Sequence, residues 1–509
     1  MSDFYITTSI YYVNDLPHIG HAYTTVAADV AARFHRLKGD RTHFLTGTDE
    51  HGQKVEQAAR EHSMDPRAWT DSMIEPWRKV WSRLQISNDD FIRTTEERHE
   101  GPVKAFLQHL YDSGEIYAGE YEGPYCVACE QFYAEAELVD GNCPIHGTPV
   151  ERLKEENYFF RLSKQADWLL GDYYARTPPA VRPEARLNEV IGHVRGGLQD
   201  ISVSRPSLEW GIPVPWDPKH VIYVWIEALQ NYITALGYPD GELFKTFWPG
   251  THLIGKDILR FHAVIWPAML HAAGEEPPRT VFAHGWLLVR GEKMSKTKLT
   301  GIHPDQLLDA FGVDAYRYYF LREIAFGQDG NFSWESMVAR YNADLANGLG
   351  NLASRVLSMI VSYFDGVVPE PGPAAGQEGL ERSVSDALPS YLEAMEGFAF
   401  HEAIDAAFGI VREANGFIVA TAPWKMAKDP AQRAQLGTVL WSAAEALRVL
   451  ALLLWPVMPM ACERLWEQLG IKEPLSGNRL EEAAGWGRLA PGTRVSKGDA
   501  LFPRIADTE

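Results

Sequence analysis

The sequence predicts an α/β protein in which a nucleotide-binding sheet is split by an insert and followed by an all-α bundle. Three observations carry this. β-branched and aromatic runs alternate with helical periodicities on both sides of a turn-rich, cysteine-bearing stretch, and beyond about Trp334 the strand-like runs give way to long helical patterns. The 509 residues suffice for about three domains. With 46% hydrophobic and 23% charged residues, the composition excludes a disordered, collagen-like or disulfide-stapled chain.

Phe4 to Ile10 reads as a strand, and Asn14-Asp15-Leu16-Pro17 breaks it as a turn. From His21 on, Val26, Val30, Phe34 and Leu37 recur at helical spacing up to Gly39, where a C-cap is expected, and Thr42 to Thr46 is a second strand. Such a βαβ unit binds ligands where strand C-termini meet the helix N-terminus. The alternation resumes with strands at Val221 to Trp225, His252 to Ile254 and Val281 to Val289, and a helix from Ile258 to Ala272. Helical patterns follow at Tyr341 to Tyr363, Ser385 to Glu396, Ala403 to Ala420 and Gln435 to Leu454, with a Pro/Gly-rich loop at Val368 to Gln377. The expected domains are 1–113 and 214–280 for the two halves of the sheet, 114–213 for the insert, 281–340 for a loop-bearing connecting region and 341–509 for the bundle.

The longest uncharged apolar stretch, Val449 to Cys462, contains Pro456 and Pro459 and falls short of the roughly 20 residues of a spanning helix, so it reads as buried helix. Met1-Ser2-Asp3-Phe4 has neither a basic nor an apolar signal segment, so a cytoplasmic location with no membrane partner is expected. The chain stops soon after its last helices, at Glu509, and a monomer is expected. Lys and Arg total 48 against 68 Asp and Glu, a net charge of −20 that argues against nucleic-acid binding by bulk charge. A polyanion must meet a local basic surface, such as the run Arg290 to Lys298, where four basic residues face only Glu292.

Pro17-His18-Ile19-Gly20-His21 lies in the turn that opens the first helix. Gly20 permits close backbone approach, the helix N-terminus attracts anions, and His18 and His21 can both donate to phosphate oxygens. Taken alone, a histidine that merely caps the helix explains the pair equally well. Lys293-Met294-Ser295-Lys296-Thr297 follows the last strand, and its two lysines can close over a triphosphate and neutralise the charge of a leaving pyrophosphate. The two motifs together resemble the paired signatures of the class I aminoacyl-tRNA synthetases. Within that class the chain resembles the methionyl-tRNA synthetase family along nearly its whole length, through Gly47-Thr48-Asp49-Glu50-His51-Gly52-Gln53-Lys54, Tyr223-Val224-Trp225-Ile226-Glu227-Ala228, and Ile254 to His262 with Trp266 following. The insert leaves no room for the editing domain of the related Leu, Ile and Val enzymes. A small nucleotidylyl transferase and a non-catalytic tRNA-binding relative are the rival readings; the helical domain speaks against the first, and intact His18, His21 and Lys296 against the second.

The resemblance implies a split Rossmann-type fold with an inserted connective-peptide domain and a helix-bundle anticodon-binding domain. It implies activation of L-methionine with ATP and Mg²⁺, then transfer to the 3′ end of tRNA(Met). By the same resemblance Ile10, Tyr12, Trp225, Ala228, Tyr232, Ile258, Phe261, His262 and Trp266 line the amino-acid site, Asp49 holds the α-ammonium, and Gly20, His21, Gly255, Asp257 and Lys296 bind ATP. His18, His21, Lys293 and Lys296 would stabilise the reacting phosphate. An apolar, aromatic pocket suits a thioether, which gains about 0.3–1.5 kcal/mol from sulfur–aromatic contacts.

In the insert, Cys126-x2-Cys129, thirteen further residues, then Cys143-Pro-Ile-His146 match the spacing of a structural zinc knuckle. The family's knuckles carry four cysteines; His146 here replaces one, so a knuckle without its metal is the other reading. Asn351 and Arg355 lie on one helix face, and Trp424 follows Pro423; aromatic and edge-reading groups of this kind recognise splayed bases. In the family the matching residues read the CAU anticodon.

Overall fold

The computed structural model describes residues 2–127, 131–133, 135–145, 147–206, 208–289, 292–293, 302–372 and 376–505. Seven strands form one parallel sheet: β1 (Asp3–Thr8), β2 (Tyr11–Tyr12), β3 (Arg41–Asp49), β4 (Asp90–Arg93), β5 (Val181–Arg182), β6 (Thr251–Gly255) and β7 (Thr280–His284). The order is β2-β3-β1-β6-β7-β5, with β4 also on β3, and Ile6 lies in register with both Phe44 and Thr251. β1 therefore has β3 on one side and β6 on the other. At such a switch point the connections leave in opposite directions and a crevice opens at the strand C-termini.

α1 (Ile19–Lys38) connects β1 to β3. It ends at Gly39, whose φ of 103° is the left-handed conformation that glycine adopts without strain, and the Gly39 N–H donates to the His35 and Arg36 carbonyls. Ala22, Tyr23, Val26, Ala27, Val30, Ala31 and Phe34 are all buried, so the helix is covered around its circumference. The cover is the sheet on one side and the helical part of the chain on the other.

The helical part includes α2 (Val313–Glu323), α3 (Asn351–Phe364), α4 (Phe400–Thr421), α5 (Arg433–Leu454) and α6 (Pro459–Gln468). α2 packs on α1 and α4, and α4 on α5. The segment Pro430–Leu454 is long and apolar enough to cross a membrane, and its apolar window is entirely buried within the fold. Inside it Arg448 forks onto Glu445 at 2.7 and 2.8 Å, and Glu445 also accepts from the backbone N–H groups of Gly487, Arg488 and Leu489. The insert forms a four-stranded antiparallel sheet from Ile116–Cys126, Gln131–Phe132, Glu151–Phe160 and Ile201–Ser202.

Several expected elements differ. The run Val221 to Trp225 is not a strand of the main sheet: Asp217–Ile222 belongs to a small antiparallel sheet, and Val224–Ala228 is a short helix. An apolar run buried on every side has no period with which to tell these apart. Val281 to Val289 is two strands, because the chain bends at Gly285, where a Cβ would sit 2.2 Å from the Gln328 backbone. The stretch assigned to the insert contains β5, which returns to the parallel sheet. Val449 to Cys462 is not one helix, since α5 ends at Leu454 and Pro459 starts α6. The helices expected at Ile258 to Ala272 and Tyr341 to Tyr363 each contain a wide π-helical segment, Phe261–Ile265 and Tyr341–Gly350.

One ion pair joins the two halves of this architecture. Asp29 of α1 and Arg317 of α2 are both fully buried and 2.6 Å apart. Arg317 also donates to the carbonyls of Leu84, Pro456 and Val457, and Asp29 accepts from Arg33 and from the backbone and hydroxyl of Ser87. Burial pushes the Asp29 carboxyl up, but Arg317 and Arg33 outweigh it and hold it down at about 2. A depressed carboxyl contributes stability that is present above its ordinary value of 3.8 and is lost as pH falls towards 2. Asp29→Asn should therefore cost about 3–5 kcal/mol at neutral pH, as expected for breaking a buried pair, in urea denaturation. The gap between variant and wild type should narrow by about 2 kcal/mol across that acid window; a pH-independent gap would disprove the assignment.

Candidate active site

A cavity of about 450 Å³ opens at the switch point. Ser9 and Ile10 beyond β1, Asp49 of β3, Gly255 of β6 and His284 of β7 line it, together with the start of α1. The anion-attracting helix end and the strand C-termini thus face one space.

The two histidines of the first motif build that helix end. His18 is the N-cap: its Nδ1 accepts from the Gly20 N–H at 3.0 Å, while its own backbone N–H donates to His21 Nδ1 at 3.2 Å. Because both Nδ1 atoms accept, each neutral ring carries its proton on Nε2. The rings stack with centroids 3.7 Å apart, and Tyr11 and Trp77 back His21 at 4.9 and 5.2 Å. The Ile19 N–H donates to the Ile302 carbonyl at 3.1 Å, which ties the helix start to the segment just beyond the lysine-bearing motif.

At the end of β6 the Asp257 carboxylate folds back over Gly255, where a Cβ would stand 2.6 Å from its Oδ1. Lys256 ion-pairs with Asp329 at 2.7 Å and places its ammonium 4.1 Å from the Trp286 ring centre, while Asp329 accepts the Trp286 backbone N–H at 2.7 Å. At the end of β7, His284 Nδ1 donates to the Gly285 carbonyl and Nε2 accepts from Thr24, and burial lowers the pKa of this ring.

The opposite wall is apolar. Trp225 stacks on Phe261 with centroids 4.1 Å apart, and Tyr12 meets Trp225 edge-on at 6.3 Å. Behind this wall Tyr232 donates to His262 Nε2 at 2.7 Å, and His262 Nδ1 donates to the Ile258 carbonyl at 3.0 Å. Burial lowers His262 to about 4, which keeps the ring neutral and able to accept the phenol proton.

Of the expected site residues, His18, Gly20, His21, Gly255, Asp257, Ile10, Tyr12, Asp49, Trp225, Ile258 and Phe261 line the cavity. Ala228, Tyr232, His262 and Trp266 are buried and do not line it. Lys293 lies on the short strand Glu292–Lys293, paired antiparallel with Leu287–Val289, whereas Lys296 lies outside the described residues. Lining residues that the motifs did not single out include Tyr11, Thr24, His284 and Trp286, while Lys54, the end of the quoted Gly47 to Lys54 stretch, lines it without having been given a role. His284-Gly285 closing an apolar strand was the one available signal among them.

A second cluster lies on the helical part. Arg355 of α3 faces the Trp424 ring at 5.7 Å, Trp424 is 38% exposed, and Asn351 is exposed one turn earlier on the same helix. Pro423 is buried at the first turn of the helix Pro423–Met426, after Ala422 adopts φ 48°. In the insert, Cys126 and Cys143 are buried in one small cluster with Tyr133, while Cys129 and His146 lie outside the described residues.

Residues 4–152 and 136–357 match the family model of "tRNA synthetases class I (M)", and residues 368–509 match the "Anticodon binding domain of methionyl tRNA ligase". The chain belongs to the methionyl-tRNA synthetase family. A methionine–tRNA ligase of Streptomyces coelicolor is 52% identical over 99% of this chain and 97% of its own length. The Mycobacterium tuberculosis methionyl-tRNA synthetase in complex with methionyl-adenylate superposes with a TM-score of 0.95 at 44% identity, covering 99% of this chain and 100% of that one. Its apo form superposes at 0.87 with 42% identity, covering 100% of this chain and 99% of that one. The methionyl-tRNA synthetase catalytic model runs past the last strand, Gly330–Phe332, into α3 and ends at residue 357, and the anticodon model begins at residue 368.

Proposed function

We propose that the cavity activates methionine and that the chain charges tRNA(Met) with it, and we assign the residues as follows. The methionine carboxylate oxygen attacks the α-phosphorus of ATP, the bond to the β-phosphate oxygen breaks, and pyrophosphate leaves. The 3′-terminal adenosine hydroxyl of the tRNA then attacks the methionyl carbonyl and releases AMP. The attacking carboxylate is already ionised, so catalysis is positioning and charge stabilisation. His18 and His21 donate to the phosphates at the head of α1, Lys293 and Lys296 neutralise the pyrophosphate, Gly20 and Gly255 admit the nucleotide, and Asp257 accepts from its ribose hydroxyls. Mg²⁺ enters with ATP. Asp49 holds the α-ammonium, with Ile10, Tyr12, Trp225, Ile258 and Phe261 around the thioether and Ala228, Tyr232, His262 and Trp266 supporting them. The observation that carries this reading is the placement of a histidine-capped helix N-terminus and an aromatic pocket with one carboxylate on the same cavity.

Asn351, Arg355, Pro423 and Trp424 are assigned to the anticodon, with an RNA base stacking on Trp424. Cys126, Cys129, Cys143 and His146 are assigned one zinc ion, supported by the joint burial of Cys126 and Cys143. Filled by four protein ligands, this ion shapes the insert and takes no part in the reaction. The reading keeps the monomer and the cytoplasmic location expected from the sequence.

Pyrophosphate exchange into ATP, run with each of the twenty amino acids, should respond to methionine alone; exchange driven by another amino acid overturns the pocket. Trp424→Ala should weaken tRNA recognition by about 1–3 kcal/mol while leaving exchange intact, and equal loss of both activities would refute that division of labour. Metal analysis of protein purified without chelator should give one zinc per chain, and a ratio near zero rejects the knuckle.

A further inference from the structure

Asp49 and Trp225 lie on different segments, the end of β3 and the helix Val224–Ala228. Two residues beyond each stand His51 and Glu227, and these two meet. Glu227 is fully buried, with Oε1 3.0 Å from His51 Nδ1 and Oε2 2.9 Å from His99 Nε2. His99, also fully buried, lies on the helix Glu97–Asp112, and its Nδ1 is 2.8 Å from the Thr234 hydroxyl. Among the described residues the only ion-pair partners of Glu227 are the His51 and His99 imidazoles. Burial pushes the Glu227 carboxyl up, but His51 and His99 outweigh it and hold it below the usual range. An ionised carboxylate only accepts, so both rings donate to it.

The segment that carries Asp49 is fixed independently on its outer side. Arg93 forks onto Glu50 at 2.7 and 2.9 Å, the Trp210 indole donates to the Glu50 carbonyl at 2.6 Å, and the Gly52 N–H donates to the Trp210 carbonyl at 3.3 Å. None of these bonds reaches the helix that carries Trp225; the Glu227–His51 bond does. We propose that Glu227 is a positioning residue: through His51 and His99 it clamps the ammonium-binding end of β3 to the aromatic wall and so sets the amino-acid pocket without touching substrate. The clamp rests on the assignment of Asp49 and Trp225 to methionine.

The test compares His51→Asn, whose Nδ2 stands where Nδ1 stood and keeps the donor, with His51→Leu, which keeps volume and loses it. In pyrophosphate exchange by the full chain, His51→Leu should raise KM for methionine about tenfold or more, with kcat and KM for ATP within about twofold. His51→Asn should keep the methionine KM within about threefold of wild type. If His51→Leu does not fold, Glu227→Gln serves, and the same methionine-selective rise is expected. Equal changes in both KM values, an unchanged methionine KM, or an Asn variant as impaired as the Leu variant would overturn the clamp while leaving the site assignment standing. Absence of methionine-dependent exchange in the wild type would overturn the site assignment and the clamp with it.

Discussion

α1 is covered by the sheet on one side and by the helical part on the other, so a polar group at one of its fully buried positions must find its partners indoors. Asp29 is such a group. An isolated carboxylate buried at that depth would be strongly destabilising, and the structure answers with a guanidinium that also donates to three carbonyls. Because those carbonyls belong to Leu84, Pro456 and Val457, the pair fixes the β-rich and α-rich parts to one helix in one arrangement. The same helix begins at the cavity, so the orientation of the helical part and the placement of the site share a single rigid element.

The cavity then follows from topology and composition together. A parallel sheet with β1 at its switch point leaves a crevice whatever the side chains are. The side chains make it asymmetric: one wall is helix N-terminus and imidazole, the other stacked indole and phenyl over a buried tyrosine–histidine pair. A highly charged nucleotide and a small amino acid with an apolar side chain ask for this division. Asp49, at the end of β3, adds an acidic group to the same cavity.

The sequence made the βαβ start legible because capping and turn residues bracket it: Pro17-His18 at one end of α1, Gly39 at the other. Eleven lining residues were legible, His18, Gly20 and His21 from the motif at the helix start and the others through the resemblance to the family. What it did not disclose has physical reasons. Apolar segments buried on all faces carry no period, which is why Val221 to Trp225 was assigned the wrong element. A π-helical turn keeps helical composition while shifting register, so neither Phe261–Ile265 nor Tyr341–Gly350 can be seen in a pattern of spacing. Thr24 and Trp286 reach the cavity only through the tertiary arrangement, and no short motif marks them. The burial of α1 against two layers at once was equally invisible until the layers were assembled.

The capping of α1 by its own histidines limits what those rings can be. Nδ1 of each ring accepts a backbone N–H at the head of α1, so the lone pair there is already in use. Replacing either histidine therefore alters the start of α1 as well as the wall of the cavity, and the two changes cannot be made one at a time.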